Sequence, residues 1–230
     1  MRGPFADRSA AGRELAEHLS HYARRDDVVV LGLPRGGVPV AHEVARALDA
    51  PMEVFVVRKL GVPGHEELPM GAIASGGVRV LNDEVVAAIG ISERDIEDVA
   101  TRERAKLERR ERTYRGDRDP LDVEGRIAIV VDDGLATGAT MRAAVTALRE
   151  RRPRTIVVAV PIASPETCAE VGEAVNEVIC AQTPERLMCV GLWLRDATSA
   201  PDPPVGDSNP RPPGCDPPAP RPSSARKDGD

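Results

Sequence analysis

The chain has 230 residues, and its 31 Lys and Arg against 37 Asp and Glu give a formal net charge of −6. A chain of this length can bury enough surface to fold as one ordinary domain without disulfides or structural metals. Only 2% of its residues are aromatic, so its core must be aliphatic. Because nucleic-acid binding usually needs a basic stripe or an aromatic stacking surface, we expect no nucleic-acid partner.

Cysteine usage and hydropathy predict a cytoplasmic protein. The cysteines are widely spaced and form no C-x-x-C pair; they are Cys168, Cys180, Cys189 and Cys215. We expect reduced thiols and no zinc ion. The first residues lack the apolar segment of a secretory signal. No run approaches the roughly 18 apolar residues of a membrane span, so we expect no membrane partner.

Helical and strand patterns alternate in the first half of the chain. Apolar residues at helical spacing predict helices over residues 8–24 and 38–48. Short runs of β-branched residues predict strands over 28–33 and 54–57. Residues 61–82 are Gly-rich and include a short alternating stretch, which is typical of a flexible loop or hairpin.

The second half of the chain continues this alternation. Helices are predicted over 92–112, over 139–149 and from Ser164-Pro165 onward, and strands over 127–131, 156–160 and 178–181. The strands are short, continuous apolar runs, as expected for strands covered on both faces. Strands that alternate with helices form a parallel sheet with right-handed crossovers. We therefore predict an α/β fold with a doubly wound, mainly parallel five-stranded sheet flanked by helices.

A change of composition near Asp196 marks the predicted end of the folded domain. Residues 197–230 contain ten prolines and a single large aliphatic residue, Val205. Such a segment cannot bury enough apolar surface to offset its ordering entropy. We predict one domain over residues 1–196 and a Pro-rich disordered tail over 197–230.

The most informative stretch joins a predicted strand to a predicted helix. Asp132 and Asp133 directly follow the apolar run at 127–131, and a loop of small residues leads into the helix. This loop comprises Ala136, Thr137, Gly138, Ala139 and Thr140. Small residues let backbone amides converge on a phosphate, and the helix start adds a positive dipole. Paired carboxylates at a strand's carboxyl end suit sugar hydroxyls and a hydrated divalent cation.

This stretch resembles the 5-phosphoribosyl-1-pyrophosphate (PRPP) signature of type I phosphoribosyltransferases, in which two acidic residues precede a T-G-x-T loop. Gly134 stands where that family usually has an aliphatic residue. The resemblance implies a small hood and a flexible loop beside the sheet. It also implies that residues 136–140 hold the 5′-phosphate of PRPP, while Asp132 and Asp133 hold the ribose hydroxyls and, through water, Mg²⁺. The alternative is a tight strand-to-helix turn, which needs neither two carboxylates nor two threonines.

Two basic segments fit the same family. Arg35, Gly36 and Gly37 follow the first predicted strand; glycines permit close approach of an anion, and arginine can clamp a phosphate. The resemblance implies that they form the pyrophosphate loop. In the family a basic residue at the end of the second predicted strand commonly reaches the pyrophosphate, which implies this role for Lys59 and extends it to Arg58. The alternatives are a structural R-G-G turn and a solvated strand end.

The resemblance implies a phosphoribosyltransferase, in which Arg35, Lys59, Asp132 and Asp133 act on PRPP and Mg²⁺ while a nucleobase or another small nucleophile displaces pyrophosphate from C1. Ala136 stands where hypoxanthine–guanine-type enzymes carry an Asp, so a general base is missing there. The second interpretation is a PRPP- or nucleotide-sensing regulator without turnover. A third is an unrelated phosphatase or kinase, which no Walker, G-x-S-x-G or H-E-x-x-H motif supports.

The sequence leaves the acceptor and the oligomeric state open. Trp193, the only indole, could stack on a planar base, and the alternative is a packing role at the edge of the sheet. Because the chain has so few aromatic rings, a small or non-aromatic acceptor is also compatible with it. A homodimer is one candidate assembly.

Overall fold

A computed structural model describes residues 3–115, 120–185 and 187–195. In chain order the strands are β1 (Val28–Gly32), β2 (Met52–Val54), β3 (Val57–Val62), β4 (His65–Ala74), β5 (Val78–Leu81), β6 (Ile127–Val131), β7 (Thr155–Ile162) and β8 (Glu177–Gln182). The helices are α1 (Arg8–His18), α2 (Gly37–Leu48), α3 (Asp83–Ile89), α4 (Glu93–Arg115), α5 (Ala139–Arg149) and α6 (Pro165–Gly172). Two short 3₁₀ helices, Ser20–Tyr22 and Val190–Leu192, follow α1 and β8.

The centre of the domain is a five-stranded parallel sheet in the order β2-β1-β6-β7-β8. One face packs against α1 and α2, and the opposite face packs against α5 and α6. Successive side chains of a strand point to opposite faces. In β1, accordingly, Val28 and Val30 face α1 and α2, while Val29 and Leu31 face the other layer. The predicted doubly wound α/β fold with a five-stranded parallel sheet is confirmed.

Most predicted elements of this sheet are present with nearly the predicted bounds. The strands predicted at 28–33, 127–131, 156–160 and 178–181 are β1, β6, β7 and β8, and the helices predicted at 38–48 and 139–149 are α2 and α5. Ser164 caps α6, because its Oγ accepts a hydrogen bond from the Thr167 N–H at 3.2 Å. Pro165 is the first helical residue, as its fixed φ favours.

The direction in which the chain crosses the sheet reverses between β1 and β6. From β1 the chain passes through α2 to β2 on one side, whereas from β6 it passes through α5 to β7 on the other. Since α2 and α5 cover opposite faces, the loops that follow β1 and β6 diverge and leave a crevice. Ligands of open α/β sheets bind at such switch points. The loops at 34–37 and 132–138 both lie there.

Strands β3, β4 and β5 form a second, smaller antiparallel sheet. The prediction of one strand over 54–57 is therefore wrong. β2 ends at Val54 and β3 begins at Val57, so the chain passes from one sheet to the other between them. Phe55 and Val56 lie at this crossing and are fully buried. Hydrophobicity therefore gives no sign of the break.

The Gly-rich region at 61–82 contains a hairpin, as predicted, because β4 pairs with both β3 and β5. The helix predicted at 92–112 is α4, which packs on this sheet through a narrow apolar stripe that includes Ile96 and Leu107. α5 contacts the same sheet, so the small sheet is joined to the main one.

Two helical segments differ from the predictions. The helix predicted over 8–24 ends at His18, and a 3₁₀ turn then carries Tyr22 into the same apolar cluster. α3 was missed, although Asn82 caps its start and Gly90, with a φ of 72°, ends it. These two residue types are ordinary helix boundary signals.

Some predictions fall on parts of the chain that the structure does not describe. The predicted tail at 197–230 and Cys215 lie outside the described residues. Cys168, Cys180 and Cys189 are free thiols. Within the described ranges, no helix combines the length and the apolar character that a membrane span requires.

Candidate functional site

The loops that follow β1 and β6 touch each other at the switch point. Gly36 lies against the carboxylate of Asp133, so that any Cβ at position 36 would overlap it. Gly37, the first residue of α2, approaches the backbone of Asp132 so closely that a Cβ would lie 2.7 Å from the Asp132 Cα. The two glycines therefore permit a contact that a side chain at either position would prevent. The structure thus brings together two motifs that lie about a hundred residues apart in the sequence.

Asp132 and Asp133 begin the loop after β6, and their adjacent carboxylates repel each other. The Asp133 backbone N–H donates to Oδ1 of Asp132 at 2.8 Å. Burial, and then the neighbouring Asp133 carboxylate, raise the pKa of Asp132 well above its usual range. A bound cation or hydroxyl donors would stabilise the two carboxylates in their ionised form.

Arg8, which no sequence pattern indicated, lies in the first turn of α1. Its Nε and Nη2 donate to Oδ2 of Asp133 at 3.0 and 2.8 Å. Both side chains are largely buried, with exposed fractions of 22% and 19%. The two residues are 125 positions apart. No local pattern in the sequence signals such a pair.

The loop before α5 forms the predicted turn into the helix. Gly138 has a φ of 65°, in the left-handed region that favours glycine, and α5 begins at the next residue. Thr137 Oγ1 accepts a hydrogen bond from the Ala139 N–H at 3.4 Å. Because the first N–H groups of a helix have no intrahelical partner, such a turn is suited to an anion.

α6 supports the same loop from the side. Thr167 Oγ1 donates to the carbonyl oxygen of Ala136 at 3.2 Å. Ala136, Thr137 and Thr140 are exposed, so the loop presents its polar groups at the surface of the crevice. The sequence did not indicate this contact, because Thr167 lies on α6, which follows a different strand.

Arg35 lies on the loop after β1, directly before the glycine that contacts Asp133. Its side chain is exposed, and the peptide bond between Pro34 and Arg35 is cis. The backbone of Arg35 thus lies in the loop at the switch point, next to the glycine that contacts Asp133.

Arg58 and Lys59 have different surroundings, and neither belongs to the main sheet. They lie in β3 of the small sheet, so the expectation that they end a strand of the main sheet is wrong. Arg58 Nε and Nη2 donate to Oε2 of Glu103 on α4, at 2.7 and 2.6 Å. Lys59 is exposed. It shares a strand face with Val57, which packs into the cluster that contains α5.

The segment after β8 returns to the switch point. A Cβ at Gly134 would lie 2.7 Å from both γ-carbons of Val190, so Val190 occupies the space that a side chain at position 134 would need. Trp193 is half-buried, and its carbonyl accepts a hydrogen bond from the Phe5 N–H at 2.9 Å. Phe5 and Leu194 are buried together. The two ends of the described chain therefore form a joint cover beside the loop after β6.

The carboxylate pair fits Mg²⁺ by the chemistry of its donors. In the part of the chain that the structure describes, no group of three or more His, Cys, Asp or Glu residues is arranged to hold a metal ion. Mg²⁺ commonly keeps several waters and binds one or two carboxylates together with substrate phosphates. Asp132 and Asp133 supply that partial set, and a phosphorylated substrate would have to supply the rest.

Comparisons with known proteins agree with this arrangement. Two Mycobacterium tuberculosis proteins, each named provisionally as a phosphoribosyl transferase, are 46% identical to this chain over 198 residues. The match covers 86% of this chain but 44% of each relative, so the chain spans less than half the length of these relatives. The crystal structure of TT1426 from Thermus thermophilus is similar with a TM-score of 0.74 and 41% identity, covering 83% of this chain and 89% of that chain.

A family match covers the same part of the chain. Residues 6–187 match the phosphoribosyl transferase domain family. This range includes both loops of the switch point, the carboxylate pair and Arg8. The chain therefore belongs to the phosphoribosyl transferase domain family.

Proposed function

We propose that the chain is a phosphoribosyltransferase that uses PRPP and Mg²⁺ and transfers the phosphoribosyl group to a small nucleophile. The observation that carries this proposal is the contact of two loops at the switch point, where Gly36 meets Asp133 and Gly37 meets Asp132. A structural turn does not require a second loop to approach it this closely. Binding of an extended, multiply charged ligand does, because its parts must be held by separate segments.

Each part of the site suits one part of PRPP. The turn at 136–140 and the positive end of α5 suit the 5′-phosphate. The carboxylates of Asp132 and Asp133 can accept hydrogen bonds from the ribose hydroxyls. Arg35 and the backbone of the adjoining glycines suit the pyrophosphate. Lys59, exposed on the face of β3 directed toward α5, is the second cation that we assign to the pyrophosphate.

Mg²⁺, when bound, neutralises charge on the pyrophosphate leaving group. Asp132 and Asp133 would hold it through water or together with the ribose hydroxyls. The chain itself positions the sugar between the carboxylates and the loop before α5, and positioning dominates when the leaving group is already activated.

In the reaction, a bond forms between C1 of the ribose and the nucleophile while the bond from C1 to the pyrophosphate oxygen breaks. Pyrophosphate leaves with the bonding electrons, and the nucleophile loses its proton to a base or to solvent. Ala136 provides no carboxylate for that proton. An acceptor that is anionic, or that has an acidic proton, therefore suits this site best. All partners of the reaction are small molecules, in keeping with the expected cytoplasmic location.

The second candidate function is a PRPP- or nucleotide-sensing protein that binds without turnover. Ala136 favours it, because the position offers no general base. Both candidates predict binding of PRPP, so only a measurement of turnover separates them.

Calorimetric titration with PRPP and Mg²⁺ tests the shared part of the proposal. We expect binding in the presence of Mg²⁺, and Asp132→Asn and Asp133→Asn should each weaken it about tenfold or more, as expected for loss of charge-assisted hydrogen bonds. Glu108→Gln is the matched control, since Glu108 is exposed on α4 and its loss changes the net charge equally. Absence of binding at millimolar PRPP would overturn the proposal.

Release of pyrophosphate across a panel of nucleobases and other small nucleophiles tests turnover. Release with one acceptor supports the transferase, and binding without any release supports the sensor. Trp193→Ala should raise the KM for the acceptor more than the Kd for PRPP. An unchanged acceptor KM would assign Trp193 to packing alone.

A further inference from the structure

The contact between Arg8 and Asp133 connects the N-terminal helix to the carboxylate pair. Two N–H groups of one guanidinium, Nε and Nη2, donate to the same oxygen, Oδ2 of Asp133. The contact therefore fixes the orientation of the Asp133 carboxylate, with Oδ2 directed toward Arg8. On its other side the carboxylate lies against Gly36. Asp133 is thus held between α1 and the loop after β1.

The backbone at Arg8 is held in place by contacts of α1 and of the residues just before it. Asp7 caps α1, because its Oδ1 accepts a hydrogen bond from the Ala10 N–H at 2.6 Å. Just before it, Phe5 is buried and its N–H binds the Trp193 carbonyl at 2.9 Å. Further along α1, a Cβ at Gly12 would lie 2.8 Å from the carbonyl oxygen of Val40 on α2, so the two helices are in close contact.

Arg8 supplies a positive charge beside the two negative charges of the site. Asp132 and Asp133 are adjacent and partly buried, and their charges repel. A guanidinium that donates two charge-assisted hydrogen bonds offsets part of this repulsion and orients the acceptor. Ionic contacts of exposed side chains contribute little, but this pair is mostly shielded from solvent.

We propose that Arg8 is a positioning residue for the ribose end of the site, acting through Asp133 to hold the carboxylate pair ready for PRPP. This inference rests on the proposed function. It assigns α1 a role in substrate binding in addition to its role in covering the sheet.

The test compares Arg8→Met and Arg8→Lys with Arg13→Met in calorimetric titrations with PRPP and Mg²⁺. Arg13 lies on the same helix, is 54% exposed and contacts Glu43 at 3.5 Å, so its loss controls for removal of a cation from α1. We expect Arg8→Met to weaken PRPP binding about 10- to 100-fold, as for loss of hydrogen bonds to a charged group. Arg8→Lys should recover part of the affinity, because it restores the charge but not the fork of donors. Arg13→Met should bind as the wild type does.

A double-variant cycle checks that Arg8 acts through Asp133. The unfolding free energies of Arg8→Met, Asp133→Asn and the double variant should be clearly non-additive, because the second substitution removes nothing that the first has left intact. If Arg8→Met does not fold, Arg8→Gln replaces it in both measurements, because glutamine also lacks the positive charge.

The outcomes separate the inference from the function on which it rests. If the wild type does not bind PRPP, the proposed function is wrong and this inference falls with it. If the wild type binds but the Arg8 variants bind equally well, the inference alone is overturned. Additive unfolding free energies would overturn it too, because Arg8 would then not act through Asp133.

Discussion

Asp132 shows, at the scale of one residue, a conflict between stability and binding. Its carboxyl group is partly buried next to a second carboxylate, and burial and this neighbour raise its pKa. Burying a charge beside a like charge destabilises the folded protein unless a ligand or a counter-charge compensates, and Arg8 offsets only part of this cost. Residues that bind substrate often carry such a penalty.

Replacing Asp132 by Asn should therefore stabilise the ligand-free protein by about 1 kcal/mol at neutral pH while it weakens PRPP binding. The Asn side chain keeps an oxygen that can accept the hydrogen bond from the Asp133 N–H. Chemical denaturation at neutral pH measures the change, with Asp122→Asn, an exposed loop residue, as the control. A loss of stability in Asp132→Asn would show that Arg8 and the surrounding groups compensate the charge of this carboxylate in full.

At the scale of elements, the segment after β8 and the loop after β6 are complementary in shape. Gly134 has no side chain, and Val190 fills the space beside it. The absence of an aliphatic residue at position 134 is therefore compensated by a residue from the C-terminal segment, which is the same segment that carries Trp193.

Gly134→Ala should destabilise the protein by about 1–3 kcal/mol, because the new methyl group would overlap Val190. In Gly134→Ala/Val190→Ala part of this loss should be recovered. Recovery is only partial because the γ-carbon Cγ2 of Ile162 would also lie 2.8 Å from the new Cβ. Urea unfolding of the two single variants and the double variant measures the coupling, and purely additive losses would contradict the contact.

The ion pair of Arg58 and Glu103 joins β3 to α4. Burial acts to raise the pKa of Glu103, but hydrogen bonds from Lys106 and Arg58 outweigh it and the pKa is lowered. A carboxyl group with a lowered pKa in the folded state stabilises the protein above its unfolded-state pKa. This stabilisation is lost as the pH falls through the folded-state value.

Arg58→Met should accordingly lower the unfolding free energy by about 1–3 kcal/mol at neutral pH, and the difference from the wild type should shrink as the pH falls below the ordinary pKa of a glutamate. Arg112→Met is the matched control on α4, since Arg112 is 77% exposed and should change stability by less than about 0.5 kcal/mol. A difference that stays constant with pH would mean that Arg58 acts through packing and not through Glu103.

Local signals in the sequence predicted the parts of the molecule that local interactions determine. The strand runs of β1, β6, β7 and β8 and the Ser164 cap are such signals, and so is the turn that leads into α5. The boundary between β2 and β3 could not be predicted, because the buried residues at the crossing continue the apolar run. Arg8 and Val190 could not be assigned to the site, because their partners lie far away in the chain.

At the scale of the whole molecule, the composition of residues 197–230, with ten prolines and one large aliphatic residue, predicts that they add nothing to the folded domain. We propose that removal of residues 197–230 leaves the melting temperature unchanged and the Kd for PRPP within about twofold of that of the full chain. Calorimetry on both forms makes the comparison. A large loss of affinity in the shortened chain would place part of the site in the removed segment and would contradict the proposed domain boundary.

The pairing of β1 with β6 has a consequence for how the protein reaches its native state. Val28 pairs with Ile127, so the two central strands are joined across roughly a hundred intervening residues. Contacts of such high sequence separation form slowly, because the loop-closure entropy must be overcome first. The loops after β1 and β6, which we propose to bind the phosphate groups, are brought together by this pairing, so no fragment that ends before β6 can contain the site. During refolding, PRPP binding should therefore recover after most of the helical signal has returned.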